Sequence, residues 1–363
     1  MTAAITGCGV VSAAGAGLDA LAAALRTGTS GNTELIPGDV GQFPPLPVRT
    51  VAPAVHPGDF VGKKGTRRLD RMVGLGLIAT HLALESAGRA KGADGERPLS
   101  TGVALGTSTG SVRSVQELAD AAFTPGRAYV PSRFPNAVMN SCAGQLAVWY
   151  GYKAVNATLA SGHASSAAAL RYGHNALGRG QAASMLVGGV EELCPQLAWG
   201  WPRSGSLAPG AVLGEGAAVL VIEDADAVGD APVLAQLLAT EVGFGARGGA
   251  VSPAERLAGL ISRALARTGT DPREIGVVSW GAGSQLGVRK TERDGVEQAL
   301  AGCTPAAIRV ADVVGDTYSA AGAMQTAAVL ARWSAGAHPE ETHALVTTVG
   351  ADGNMACLLL RRV

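Results

Sequence analysis

Short apolar runs alternate with longer Ala-rich segments along the whole chain, and this alternation constrains the fold more than any other feature. Short apolar runs are typical of buried strands, and longer segments with helical spacing are typical of helices. Their alternation indicates α/β layers. The predicted strands are Ala3–Ile5, Thr101–Leu105, Ala183–Val187, Ala217–Ile222, Gly276–Trp280, Ala306–Val310, Ala344–Thr348 and Ala356–Leu360. The predicted helices are Leu18–Arg26, Arg68–Ser86, Ser114–Ala121, Ala143–Tyr152, Ser165–Gly178, Ala254–Thr268, Gly295–Ala301 and Ser319–Ala335.

The first part of the sequence is weakly echoed in the second part. Residues 101–110 are similar to residues 275–283, and residues 184–190 are similar to residues 344–350. Both pairs occur in the same order and more than 150 residues apart. Self-similarity at a fixed spacing indicates a repeated unit, so two similar α/β halves are expected.

Three segments interrupt the alternation. The polar segment Glu223–Pro232 predicts a join between the halves, which gives an N-terminal half of residues 1–228 and a C-terminal half of residues 229–363. The segment from Ile36 to Gly58 contains six prolines and is predicted to be an extended surface loop. A second irregular stretch is predicted at Cys194–Gly210, which carries Trp, Gly and Ser residues.

Composition and charge exclude several classes of protein. Lys and Arg number 29 and Asp and Glu number 29, which argues against a nucleic-acid binder that uses a basic surface. The five cysteines lie far apart without a CxxC pair, so neither a disulfide framework nor a metal site is expected. No signal peptide and no run of about 18 apolar residues is found. The chain is therefore expected in the cytoplasm, off the membrane and without a cofactor.

Six segments in a fixed order identify a family resemblance. Any one of them is weak, but their collinear order is specific. They are Ile5–Gly15, Phe134–Gly144, Val187–Glu192, Val212–Glu223, Tyr318–Ala323 and Val349–Asn354. Together they resemble the β-ketoacyl synthases across nearly the whole chain. The resemblance implies the thiolase fold, with two similar α/β halves in five αβαβα layers. It also implies a dimer and substrates carried on acyl carrier protein.

The resemblance also implies that the catalytic residues of the family have been replaced. A condensing enzyme needs a thiolate at a helix N-terminus, where the helix dipole lowers its pKa, and two imidazoles that stabilise the enolate. In the family the cysteine lies in a T-A-C-x-S segment, and here His163 stands in its place. Trp280 and Asp316 stand where the two histidines are expected, and Ala311 stands in place of the lysine. No intact catalytic residue is therefore expected.

Further departures affect the substrate route that the family uses. Trp280 is a much larger side chain than Gly or Ala, so a closed cavity is one expectation. The gate phenylalanine of the family's G-F-G-G motif is Ala351 here. The link between Phe244 and Ala254 is shorter than the substrate-lining loop of the family. These changes weaken the expectation that a carrier-bound substrate enters by the usual route.

The first functional hypothesis is the chain length factor, the non-catalytic partner of an active ketosynthase in type II polyketide synthases. By resemblance, such a subunit forms a heterodimer with the ketosynthase and meets acyl carrier protein through that complex. It also helps to wall the tunnel in which the polyketide grows. The tunnel residues implied here are Val112, Arg113, Gln116, Phe134 and Val138. On its own such a chain is not expected to be an enzyme.

Two alternatives stay open at the level of sequence. In chain length factors the cysteine is typically Gln, whereas this chain has His163, which leaves the subfamily open. One alternative is a rewired enzyme in which Asp316 orients His163 for decarboxylation, hydrolysis or acyl transfer. The same two residues are also compatible with a structural pair that plugs a dead pocket. The other alternative is a binding protein that forms a homodimer without any ketosynthase.

Overall fold

The strands occupy most of the predicted positions. The computed structural model describes residues 1–29, 31, 33–36, 46–89, 100–126, 130–229, 231–246, 248–336 and 338–363. The strands are β1 (Ala3–Ser12), β2 (Gly15–Ala16), β3 (Thr33–Ile36), β4 (Leu46–Arg49), β5 (Thr101–Gly106), β6 (Asn156–Leu159), β7 (Ser184–Glu191), β8 (Leu213–Gly214), β9 (Gly216–Asp224), β10 (Ala235–Phe244), β11 (Ile275–Trp280), β12 (Ala306–Ile308), β13 (His343–Val349) and β14 (Asn354–Arg361).

The helices lie between these strands, as the alternation predicts. They are α1 (Leu18–Thr27), α2 (Pro57–Val61), α3 (Arg71–Ser86), α4 (Val112–Phe123), α5 (Ser141–Tyr150), α6 (Ser165–Gly178), α7 (Pro195–Arg203), α8 (Pro253–Thr268), α9 (Val288–Ala299), α10 (Ala311–Val314) and α11 (Ala321–Ser334). Short 3-10 helices lie at Thr66–Arg68, Pro131–Ala137, Pro272–Glu274 and Tyr318–Ala320. Within the described ranges, no helix is both long enough and apolar enough to cross a bilayer.

The main sheet consists of two halves with the same strand plan. The first half has the order β6-β5-β7-β9-β1 and the second has the order β12-β11-β13-β14-β10. In each half two parallel pairs are followed by two antiparallel pairs. The halves meet where residues 3–5 of β1 pair with residues 235–237 of β10. The sequence echo is thereby explained, because it relates β5 to β11 and β7 to β13.

Helices lie on both sides of each half-sheet and between them. α6 and α11 contact strands of both halves, so they form the middle layer. α3 and α5 cover the outer face of the first half, and α8 and α9 cover the outer face of the second. α11 is buried on almost every side because Ala and Gly dominate its sequence. A Cβ at Gly322 would lie 3.2 Å from Ser166 Oγ of α6, so this crossing depends on a small residue.

Local sequence signals explain the ends of the outer helices. Ser252 caps α8 by accepting a hydrogen bond from the Glu255 N–H at 3.2 Å, and the Glu255 carboxylate accepts one from the Ser252 N–H at 2.8 Å. Pro253 occupies the first turn, where its missing N–H costs nothing. The helix ends at Gly269, which has a φ of 70°.

Several sequence predictions were wrong. The stretch 194–210 is not irregular throughout, because α7 forms with Pro195 in its first turn. The predicted extended loop contains β4, which pairs with β3 and with β8 and buries Val48, while residues 37–45 lie outside the described residues. β6 and β10 were not predicted, since their mixture of polar and apolar residues lacks a clear apolar run. The predicted domain limit after residue 228 lies between β9 and β10 and stays a prediction.

Candidate functional site

His163 lies in the tight turn that joins β6 to α6, directly before the first turn of the helix. The turn depends on Gly162, whose φ is 55° and where a Cβ would collide with the Asp352 carboxylate. The Ser165 hydroxyl accepts a hydrogen bond from the Ser161 N–H at 2.8 Å and donates one to the Gly162 carbonyl at 2.6 Å. The backbone therefore fixes His163 at the N-terminal end of α6.

The structure brings Asp316 to His163, although the two residues are 153 positions apart. The His163 Nε2 atom lies 3.0 Å from Asp316 Oδ1 and 2.9 Å from Oδ2. Asp316 also accepts hydrogen bonds from the Ser284 hydroxyl, from the Ser284 N–H at 3.2 Å and from the Tyr318 N–H at 2.8 Å. Only 3% of His163 and 4% of Asp316 is exposed. The two side chains form a buried and well-bonded pair.

The electrostatics of this pair favour the charged form of both groups. Burial alone would raise the pKa of Asp316, but the charge and hydrogen bond of His163, together with Ser284 and Tyr318, hold it at about 2. Burial alone would lower the pKa of His163, but the charge and hydrogen bond of Asp316 outweigh burial and raise it. Both shifts favour an imidazolium with a carboxylate over the neutral form of the pair.

This protonation state limits what His163 can do. Its Nε2–H is taken by the carboxylate, and its Nδ1 atom has no hydrogen-bond partner among the described residues. The neighbouring hydroxyls have other partners, because Ser165 is engaged in the turn and the Ser166 hydroxyl accepts from the Ala323 N–H at 3.1 Å. A general base needs an unprotonated nitrogen near the proton that it removes. The geometry gives a salt bridge and no Ser–His pair.

Tyr318 and Trp201 cover this salt bridge. The Tyr318 ring meets the His163 ring edge to face, with 4.7 Å between centroids, and the Trp201 ring lies 4.6 Å from Tyr318 on its other side. Tyr318 has a φ of 47°, which is rare for a residue with a Cβ and is held here by its surroundings. The sequence analysis assigned no role to Ser284 or Tyr318, because their contacts depend on the tertiary fold.

Trp280 and Ala311 are the other two positions at which the family resemblance implies a replacement. Their surroundings differ from those of Asp316. Trp280 ends β11 and packs, partly buried, against the core between the second half-sheet and α8 and α9. The guanidinium of Arg309 lies over its ring at 5.4 Å. Ala311 begins α10, and a Cβ at Gly283 would lie 3.1 Å from the Ala311 Cβ. Tyr318, and not Trp280, is thus the large aromatic side chain in contact with the pair.

Ala351 lies beside a cavity of about 260 Å³. Val349–Gly353 lines one side of this cavity, and Phe244, Pro253 and Val288 lie among its other walls. Asp352 belongs to the same loop and also reaches Gly162 in the turn that carries His163. The cavity therefore lies on the far side of that loop from the salt bridge.

The predicted tunnel residues lie on α4 and on the 3-10 helix Pro131–Ala137 that packs against it. Val112 begins α4, and Val138 directly follows the 3-10 helix. Gln116 donates a hydrogen bond to Asp120 at 2.6 Å along α4. Arg113 lines a separate cavity of about 220 Å³ that the Arg71–Glu215 ion pair also borders. The structure thus gathers these residues on adjoining elements, and Arg113 borders a cavity of its own.

Large apolar side chains are exposed on α4, on α5 and on the chain between them. They include Phe123 at 85% exposure, Val148 at 80% and Phe134 at 53%. We call the following set the apolar face: Val115, Phe123, Val130, Phe134, Met139 and Val148. β6, which lies beneath α5, is the last strand of its half-sheet. Exposed apolar groups of this size mark interaction surfaces in folded proteins.

Comparisons agree with the class of protein that the fold and the site define, a thiolase-fold ketosynthase. The model of the β-ketoacyl synthase N-terminal domain matches residues 2–227, and the chain belongs to the β-ketoacyl synthase family. A chloroplastic 3-oxoacyl-[acyl-carrier-protein] synthase I of Hordeum vulgare is 26% identical over 371 residues, which cover 92% of this chain and 78% of the relative.

Two solved structures extend the likeness over the whole chain. A chain of the ishigamide ketosynthase/chain length factor is 30% identical, with a TM-score of 0.84 and full coverage of both chains. A β-ketoacyl synthase from Burkholderia phymatum STM815 has a TM-score of 0.86 at 22% identity, and the match covers 100% of this chain and 99% of that one. The predicted α/β class and the thiolase fold are confirmed.

Proposed function

We propose that this chain is a chain length factor, a non-catalytic ketosynthase-like subunit that pairs with an active ketosynthase and shapes the polyketide tunnel. The observation that carries the proposal is the buried His163–Asp316 salt bridge. It occupies the positions where the family has its cysteine and its second histidine. A condensing enzyme forms an acyl thioester on a thiolate, and an imidazolium held by a carboxylate cannot replace that group.

The four buried cysteines of the chain do not supply a substitute nucleophile. Burial raises the pKa of both Cys8 and Cys357 to about 12, so each is a neutral thiol at neutral pH. Cys142 and Cys194 are also buried, and burial raises the pKa of each. A thiolate for chain growth would then come from the partner.

The apolar face supports pairing with a second subunit. Its side chains lie on α4, α5 and the chain between them, next to the edge strand β6. The tunnel candidates Val112, Phe134 and Val138 belong to the same elements. A partner that covers this face would place its own chain against those residues and complete the tunnel wall. Carrier-bound substrates would reach the heterodimer through the active subunit.

One of the comparisons favours this function over an ordinary condensing enzyme that acts alone. The structure at 30% identity is described as a ketosynthase/chain length factor. Another, at 17% identity and a TM-score of 0.79, is a type II polyketide synthase acyl-carrier protein in complex with its ketosynthase, and it supports the fold alone. The sequence relatives are named as ordinary 3-oxoacyl synthases, so the salt bridge and the apolar face carry the distinction.

Co-expression with the neighbouring ketosynthase tests the proposal. We expect a stable one-to-one complex by size-exclusion chromatography with mass determination. That complex should condense malonyl units into a growing polyketide, and this chain alone should not. A control complex in which the partner's nucleophile is replaced should assemble without elongating. A homodimer that ignores the ketosynthase would contradict the proposal and favour a binding protein.

The unpartnered Nδ1 atom of His163 favours one second candidate, an enzyme that uses His163 and Asp316 for acyl chemistry. Asp316 would then orient the ring and leave Nδ1 as the working nitrogen. The variant His163→Ala separates the two functions. Loss of turnover with unchanged folding and partner binding would favour the enzyme, whereas unchanged turnover of the complex would favour the chain length factor.

A further inference from the structure

A groove of about 720 Å³ opens at the C-terminal end of α6, where none of the functions discussed above has a role. α6 has 14 residues, so this end lies roughly 20 Å from the turn that carries His163. The groove walls come from α6, from the C-terminal end of α8 and from β10, β13 and β14. The concavity is therefore separate from the salt bridge and from the apolar face.

Arginine side chains dominate the charge of the groove. Its walls include Arg171, Arg179, Arg267 and Arg361. Glu241 of β10 pairs with Arg267 at 2.7 Å and with Arg171 at 3.9 Å. Glu274 is the carboxylate in the wall itself. Four guanidinium groups against two carboxylates leave an excess positive charge, although the whole chain has a formal net charge of zero.

Two of these arginines have no carboxylate partner among the described residues. Arg361 donates from Nε at 2.8 Å and also from Nη2 to the neutral Gln236 side chain, and no ion pair is formed by Arg179 within the described ranges. Guanidinium groups bind phosphate oxygens through two parallel hydrogen bonds, and the Nη1 and Nη2 groups at the end of Arg361 still present such a pair of donors. These two side chains are thus available to an anion.

The uncharged part of the lining is rich in hydrogen-bonding groups. Asn175, Thr240, Thr268 and Thr270 offer amide and hydroxyl groups to the groove. Burial lowers the pKa of His174 and of His343, so both rings are neutral at neutral pH. A lining of this kind suits a polar ligand with several oxygen atoms and does not suit an apolar chain.

Helix ends alone do not account for this charge. Arg267 and Arg179 lie at the C-terminal ends of α8 and α6, where a cation offsets the helix dipole. Arg361 belongs to β14 and has no such helix end to neutralise. Arg267 is moreover already paired with Glu241. A ligand that brings negative charge would satisfy the remaining groups together.

We propose that this groove binds a small compound with a diphosphate group, of about the size of a nucleoside diphosphate. The volume lies within the range of small-molecule sites, and the concave shape suits a compact ligand better than an extended polypeptide. Two adjacent phosphates bring more negative charge and more acceptor oxygens than a single phosphate, which suits a wall that contains several arginines. The proposal is independent of the chain length factor function.

Titration calorimetry at low ionic strength tests the site with pyrophosphate, ADP and inorganic phosphate. We expect pyrophosphate and ADP to bind at least about tenfold more tightly than inorganic phosphate, because they bring more negative charge and more acceptor oxygens. The double variant Arg179→Gln/Arg361→Gln should weaken both by at least about tenfold. Arg256→Gln, an exposed arginine of α8 outside the groove, is the matched control and should change nothing.

The relative affinities identify the source of the diphosphate. Tighter binding of ADP than of pyrophosphate would support a nucleotide, and equal or weaker binding would support an inorganic or non-nucleotide diphosphate. The site is overturned if neither compound binds at low salt, or if the double variant binds as tightly as the control. Assembly with the ketosynthase should be unchanged in the double variant, so failure here is distinguishable from failure of the proposed function.

Discussion

The turn before α6 and the apolar face differ in how far the chain satisfies its own groups. At the turn, the buried carboxylate of Asp316 meets His163, Ser284 and the Tyr318 N–H, and aromatic rings cover the pair. At the face, Phe123 and Val148 are more than three-quarters exposed. The His163–Asp316 pair is thus satisfied within one chain, whereas the face leaves apolar side chains that a second molecule would cover.

Breaking the salt bridge should have the largest effect. Asp316→Ala leaves a buried imidazolium without its carboxylate, so we expect a loss of about 3–5 kcal/mol in the free energy of unfolding. Denaturant titration at pH 6 measures it. The double variant His163→Gln/Asp316→Asn removes both charges and should lose less than the single variant. A double variant that is at least as unstable as Asp316→Ala would contradict the comparison.

The pH dependence of the free energy of unfolding tests the His163–Asp316 pair further. The pKa of Asp316 falls from 3.8 to about 2 on folding, so its contribution is present above pH 4 and is lost as the pH falls towards 2. That shift corresponds to about 2 kcal/mol. The pKa of His163 rises on folding, so its contribution is present below about pH 6.5 and is lost as the pH rises through the raised value.

Urea titrations from pH 3 to pH 9 measure this dependence. The difference between the wild-type chain and His163→Gln/Asp316→Asn should be greatest between about pH 4 and 6.5 and should shrink on both sides. The double variant is needed because buried Glu191 and Glu292 have pKa values raised by burial and also contribute to the acid limb. A difference that stays constant with pH would mean that folding shifts neither the pKa of Asp316 nor that of His163.

Adding a charge to the apolar face tests whether another molecule covers that face. Val148→Glu should weaken the complex with the ketosynthase by at least about tenfold, because a carboxylate would be buried without a partner. Its folding stability should change by less than about 0.5 kcal/mol, since Val148 is 80% exposed. Val251→Glu, at an exposed valine outside the face, is the control. Equal affinities of the two variants would place the partner elsewhere.

The smallest effect on the chain itself is expected from filling the tunnel wall. Val112→Trp adds volume at the start of α4, in the proposed tunnel wall. Excess volume there should cost about 1–3 kcal/mol for a polyketide that grows past this position. The complex should form as before and release shorter products, which mass spectrometry measures. Unchanged product length in an assembled and active complex would remove Val112 from the tunnel.

Much of the fold could be predicted from the sequence, because apolar periodicity and glycine positions are local signals. The missed strands show the limit. β10 mixes Gln236, Thr240 and Glu241 with apolar residues, and its strand state depends on β1 and β14 on its two sides. β4 is a strand because it pairs with β8, more than 160 residues away in the chain. Such pairing leaves no local pattern.

The site was predictable in part for a similar reason. The positions of His163 and Asp316 follow from motifs, and the structure joins them. The bonds of Ser284 to Asp316 and the ring contact of Tyr318 depend on where distant loops meet. Trp280 shows that a large residue at a motif position does not reveal the direction of its side chain, because it packs with the outer core.

The salt bridge also limits which sequences are reachable from this one. His163→Cys alone would restore a thiol at the helix N-terminus but would leave the Asp316 carboxylate buried beside it, which raises the pKa of a thiol and destabilises the fold. Asp316→His alone would place two imidazoles together. Each single substitution towards the residues that the family uses would therefore damage the protein, and both positions would have to change together.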